Sequence, residues 1–138
     1  MSKNLWLNLP VKDLAKSRAF FTALGFPIND QHGQPNLVSL RVGDNGVIVN
    51  LFPEATFKGF CGGAGVSDAA SVAEVMLSLG ADTREEVDAI AAKAKAAGGQ
   101  VFGPPADVQG WMYGCGFSDL DGHRWNVLHM DMSKMPKA

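Results

Sequence analysis

Long apolar runs, clusters of basic residues and paired cysteines at metal-binding spacing are all missing from this chain of 138 residues. Its apolar stretches fall far short of the ~20 residues a membrane-spanning helix needs. The start, MSKNLWLNLPV, lacks the apolar core and cleavage site of a signal peptide. The chain is therefore expected to be soluble and cytoplasmic. With no Lys/Arg run and a net charge of −2, it is not built for nucleic acid or an anionic membrane surface. Cys61 and Cys115 stand in no CxxC or zinc-like pattern, which predicts two reduced thiols, a reactive Cys115 being the alternative. What is present is apolar residue: 46% of the chain, enough for a core without staples.

That apolar content is patterned twice in the same order. In NLWLNLPV, Leu5, Leu7 and Leu9 alternate with Trp6, Asn8 and Pro10, as in a strand with one oily face. Asp13 can cap a helix carrying Leu14, Phe21 and Leu24, which Gly25 stops. Strands at about Leu37–Val42 and Val47–Phe52 follow, joined by the turn GDNG. In the second half AEVMLSL reads as a strand with Ala73, Val75, Leu77 and Leu79 on one face and Glu74, Met76 and Ser78 on the other. Thr83 and Glu86 form a capping box, and Val87, Ile90, Ala91 and Ala94 make a helical stripe ending at Gly98-Gly99. A short strand near Gln100–Phe102, then MYGCGF, then HRWNVLHM complete the repeat. The prolines Pro104 and Pro105 exclude a central strand at that point. The reading is one α+β domain over 1–138: a first module at 1–56, a glycine-bearing joint at 57–72, a second module at 73–131 and a flexible tail at 132–138.

Asn50 in GVIVNLF and Asn126 in GHRWNVL each stand four residues after a turn glycine. Helices covering the leucine faces would leave the mixed faces free. Trp6, Asn8, Asn50, Glu74, Met76 and Asn126 are then candidates to line a small-molecule pocket. The alternative is a pair of polar residues on solvent-facing strands. Trp111, Met112 and Tyr113 are candidates for a pocket rim or lid, or for a surface that a second subunit buries. His123 and His129 share the parity of Trp125, opposite Asn126, and His32 sits in a loop-like DQHGQP, so the histidines read as surface or structural.

The start motif NLPVKDLAKSRAFFTALGF and the closing MYGCGFSDLDGHRWNVLHMD together resemble the vicinal oxygen chelate superfamily: glyoxalases, bleomycin- and fosfomycin-resistance proteins and extradiol dioxygenases. More narrowly the chain resembles bacterial lactoylglutathione lyase-like proteins. The resemblance implies two βαβββ modules whose mixed sheets form an open cup with flanking helices, usually in a homodimer. It also implies a divalent metal held by His or Glu from the first and last strands of each module. Those positions fall here on Trp6, Asn50, Glu74 and Asn126. Asparagine is a poor ligand for zinc, nickel or iron, so no metal ligand is assigned, and a loosely held divalent cation is all the set leaves room for. Two readings follow. One is a lyase or isomerase acting on a small oxygenated or thiol-conjugated metabolite, with Glu74 as proton-transfer base. The other is a non-catalytic protein that sequesters a drug or metabolite. In either, Trp6, Asn8, Asn50, Met76, Trp111, Tyr113 and Asn126 bind the ligand. A competing role for Glu74 is neutralisation of Arg41 or Arg124 across the sheet.

Overall fold

The computed structural model describes residues 4–29 and 35–137; His32 lies outside them. The chain divides into two compact units, Met1–Asp68 and Ala69–Ala138, each with its own mixed sheet.

In the first unit, β1 (Trp6–Val11) leads to α1 (Leu14–Leu24), β2 (Val38–Val42), β3 (Val47–Pro53) and α2 (Glu54–Phe60). Helix α1 starts and stops as its ends dictate. The Asp13 side chain accepts a hydrogen bond from Lys16 N, and Gly25 takes the left-handed conformation with φ 95°. The three strands lie in the order β1-β3-β2, with β1 parallel and β2 antiparallel to β3. Their register stacks the leucine face into one layer: Leu9 beside Leu51 beside Val38, and Leu7 beside Val49 beside Leu40. Apart from the half-buried Leu7, this layer is buried with Val11 and with Phe20, Phe21 and Leu24 of α1. Two expectations change here. Among the described residues two ladder strands follow α1, together with an isolated Ile28–Leu40 bridge. The stretch read as a joint opens on α2, whose Phe60 packs edge-on against Phe52.

In the second unit, β4 (Met76–Gly80) precedes α3 (Arg84–Ala96), β5 (Gln100–Val108), β6 (Met112–Ser118) and β7 (Arg124–Met130), ordered β4-β7-β6-β5. At the start of α3, Thr83 accepts from Glu86 N, while the Glu86 carboxylate reaches back to Asp82 N, one residue beyond an ideal capping box. The helix covers a face made of Leu77, Cys115, Phe117, Trp125 and Val127, with Val87, Ala91 and Ala94 against it. Burial pushes the Cys115 thiol up, and its S–H points at Val87 O, so this cysteine is a core residue rather than a reactive one. A 3-10 turn, Met132–Lys134, occupies the stretch read as a tail.

Two strand boundaries also differ. β4 begins at Met76, not Ala73, because the chain first turns at residues 69–71, pressed against Gly122 so closely that a Cβ on that glycine would lie 2.5 Å from Ala70. β5 runs for nine residues straight through Pro104 and Pro105. It can do so because it is an edge strand, and its register slips on either side of Gly103.

The DLDGH turn before β7 is organised by one carboxylate. Asp119, itself buried, accepts from Asp121 N and His123 N through Oδ1 and from Trp125 Nε1 through Oδ2. Burial pushes this carboxyl up, while His123 and the three donors pull the other way. Gly122, with φ 92°, supplies the left-handed residue that closes the turn. Trp125 is 0% exposed and stacks on Phe117 at 6.4 Å. Trp125→Phe should cost about 1.5–3 kcal/mol by stranding Asp119 Oδ2, and Asp119→Ala should cost more by stranding three donors at once. Urea unfolding followed by circular dichroism checks both; equal stability of Trp125→Phe and wild type would show that the bond contributes nothing.

Candidate functional site

Each unit has a second sheet face that α1 or α3 does not cover, and the two asparagines stand at matching places on it. In the first unit, Asn8, Asn50 and Ser39 form one row across β1, β3 and β2. The Ser39 hydroxyl donates to Asn50 Oδ1 at 2.7 Å, and Asn50 Nδ2 donates to Asn8 Oδ1 at 3.1 Å. An asparagine in mid-sheet needs both a donor and an acceptor beside it, and this row supplies them. Trp6 lies two residues before Asn8 at the start of the edge strand and is 62% exposed.

In the second unit the corresponding row is Ser78, Asn126 and Gly116. Glycine stands where the first unit has Ser39, so the hydroxyl that would serve the amide oxygen is missing. Asn126 Oδ1 is buried and has no hydrogen-bond partner among the described residues. An unsatisfied buried acceptor costs about 1–3 kcal/mol. The space a side chain at 116 would take is filled by the Phe102 ring, 2.6 Å from that notional Cβ. The Arg124 guanidinium lies over the same ring at 5.1 Å. Arg124, Asn126 and Gly116 therefore share one face, with Phe102 laid across it.

The other candidate residues are placed less favourably. Glu74 sits in a bend two residues before β4, exposed, and makes no ion pair or side-chain hydrogen bond among the described residues. It does not neutralise Arg124 there, and it lacks the burial on which a base role would rest. In register Trp6 pairs Ile48 two residues before Asn50, and Met76 pairs Arg124 two residues before Asn126, so the counterpart of Trp6 is Met76, not Glu74. Met76 stands 57% exposed on the Asn126 face. Tyr113 points to the opposite side: its hydroxyl donates to Asp88 of α3 at 2.6 Å, and Arg84 lies over its ring at 4.9 Å. That bond to Asp88 is the main reason its phenol is raised above the ordinary range. Trp111 lies in the β5–β6 turn, half-buried, its indole directed at Gln109 and its carbonyl accepting from Asp131 N at 2.7 Å. His129 Nδ1 meets the Ala81 carbonyl, on the side away from Asn126.

The sequence reading missed Ser39, Gly116, Phe102 and the part played by Arg124. Ser39 was within reach, since the GDNG hairpin sets it opposite Asn50. Phe102 was not, because the register slips of β5 decide where its ring falls.

These residues do not fit a transition-metal centre. Trp6 has no ligating atom, the Asn50 oxygen is taken by Ser39, and Glu74 lies outside its strand. Among the described residues no group of three His, Cys, Asp or Glu comes together.

A family model for the N-terminal region of bleomycin resistance protein-like chains matches residues 3–43. Among solved structures, the chain is 40% identical to the hypothetical protein SA1046 from S. aureus, with a TM-score of 0.81 over 94% of this chain and 95% of that one. A glyoxalase-related enzyme from Fulvimarina pelagi (19% identity, TM-score 0.79, 94% and 88% covered) shares the fold. So does a glyoxalase/bleomycin resistance protein/dioxygenase family enzyme from Burkholderia phytofirmans PsJN (17% identity, TM-score 0.75, 91% and 96% covered). No curated protein matches the chain. With its paired α+β units, the chain has the fold of the glyoxalase/bleomycin resistance protein/dioxygenase structures, and it belongs to the same family as SA1046. No helix among the described residues is long and apolar enough to cross a membrane.

The two asparagines should respond oppositely to the same change. Asn50→Leu should cost about 1 kcal/mol, since Ser39 and Asn8 each lose a partner, whereas Asn126→Leu should be neutral or stabilising, since it removes an orphaned acceptor. Thermal melts of both variants read this directly. A loss of stability at Asn126 matching that at Asn50 would contradict the assignment.

Proposed function

We propose that this protein binds a small organic molecule on the uncovered face of its second unit without a resident transition metal, as a sequestering member of its superfamily does. The observation that carries the reading is the buried, unpartnered Asn126 Oδ1. A ligand N–H or O–H placed there would recover the cost the fold bears. Because that oxygen is already out of contact with water, binding there exacts little further desolvation. Gly116 contributes by having no side chain to satisfy Asn126, and the exposed Met76 offers a deformable apolar flank. Small-molecule sites commonly combine such a mostly apolar surround with a few placed polar groups. The same reading gives the exposed Trp6 a stacking role beside the Asn8–Asn50 row, and Trp111 a place at the rim. Tyr113, tied to Asp88 on the helix side, is left out. The setting proposed is a cytoplasmic homodimer, as the superfamily resemblance implies.

A lyase or isomerase reading rests on Glu74 alone, and its exposed bend offers it no desolvation. The deciding experiment is a thermal-shift screen of metabolites and drugs against full-length protein pretreated with EDTA, repeated on Asn126→Leu and Glu74→Gln. Hits should raise Tm in the absence of metal, persist in Glu74→Gln and vanish in Asn126→Leu. Hits that require added nickel or zinc, or turnover that Glu74→Gln abolishes, would replace this reading with the enzymatic one.

A further inference from the structure

The Asn126 acceptor has a cationic neighbour, and the pair defines more than a generic pocket. Arg124 and Asn126 are two residues apart on β7, so their side chains leave the same face at Cα positions about 7 Å apart. The Arg124 guanidinium rests on the Phe102 ring and has no carboxylate partner among the described residues. By contrast Arg84, the other arginine with a ring contact, is paired with Asp107 at 2.9 Å. A guanidinium held over one side of an aromatic ring can still direct N–H groups away from it. Its fork of N–H groups matches the planar, two-oxygen outline of a carboxylate. No other Lys or Arg lies on β4, β5, β6 or β7, and His129 faces the other side, so these strands bring one positive charge to the face, suited to a monoanion rather than a phosphate dianion. Beside that charge stands an acceptor in need of a donor, and around it lie the apolar Met76 and the partly exposed Phe102.

From this juxtaposition we infer that the ligand is a small organic acid bearing an N–H or O–H close to its carboxylate: the carboxylate pairs with Arg124, the donor with Asn126, and the apolar body lies along Phe102 and Met76. The inference rests on the binding function proposed above and narrows it to a chemical class. N-acylated amino acids have this outline. In them an amide N–H lies one carbon from the carboxylate, and the side chain varies in size.

The test uses matched probes on the full-length protein by isothermal calorimetry: N-acetylglycine, N-acetylalanine and N-acetylphenylalanine, each beside its methyl ester and beside the acid lacking the acetamido group. At least one N-acetyl acid should bind 10-fold or more tighter than both of its analogues. Arg124→Gln should weaken that acid 10-fold or more and leave the ester unchanged. Asn126→Leu should erase the preference over the acid lacking N–H. Equal binding of acid and ester in wild type, lost in Asn126→Leu, would overturn the anionic class while leaving the donor-binding site intact. Absence of any Asn126-dependent binding, in this series and in the wider screen, would overturn both. If Arg124→Gln does not fold, by circular dichroism, the acid-to-ester ratio in wild type decides alone.

Discussion

The geometry of the second unit depends on one buried carboxylate. Asp119 gathers two backbone N–H groups of its own turn and the indole N–H of Trp125, and so fixes which way β7 faces as it enters the sheet. A strand alternates, and a tryptophan pinned inward settles every position after it. With Trp125 and Val127 against α3, Arg124 and Asn126 have no choice but the other face. Three residues of this stretch are thus scaffold: Asp119 for the bond, Gly122 for its left-handed turn beside Ala70, Trp125 for the anchor. The residues of the proposed site, Arg124 and Asn126, flank the anchor on either side.

Matching registers make the two sheets comparable, and comparison shows where they differ. Both carry an asparagine at the centre of a polar row on the uncovered face. In the first unit Ser39 and Asn8 close that row into a chain of hydrogen bonds, and the amide is spent on structure. In the second, Gly116 opens it, and Phe102 takes the vacated volume. The difference between a partnered amide and an unpartnered one comes down to a hydroxyl present or absent on the neighbouring strand. Low interior polarity makes that difference large, because an acceptor cut off from water has no other recourse.

Local signals made much of the fold legible. Asp13 and Gly25 bound α1 by capping chemistry, Thr83 and Glu86 open α3, and GDNG makes the β2–β3 hairpin, all within a few residues of sequence. The equivalence of Asn50 and Asn126 was equally readable, since each pairs with a parallel first strand. Non-local packing hid the rest. Where β4 begins depends on Ala70 meeting Gly122, some fifty positions away, and that contact moved Glu74 off the strand. The length of β5 depended on its being an edge, which only the assembled sheet reveals. Tyr113 shows a different failure. It shares the alternation of Cys115 and Phe117, so grouping it with Met112 and Trp111 as one cluster overrode a period-two pattern already on display.

The outer rim of β5 has a further property. Pro104 and Pro105 carry no amide hydrogen, and the strand's register breaks twice around Gly103, so this border presents an irregular, donor-poor line to solvent. A stray strand from another chain would find no continuous ladder to extend. The opposite border, the five residues of β4, keeps its amide hydrogens throughout. The second sheet is thus polarised: one margin is closed to strand addition, and any intermolecular extension of this sheet has a single direction in which to grow.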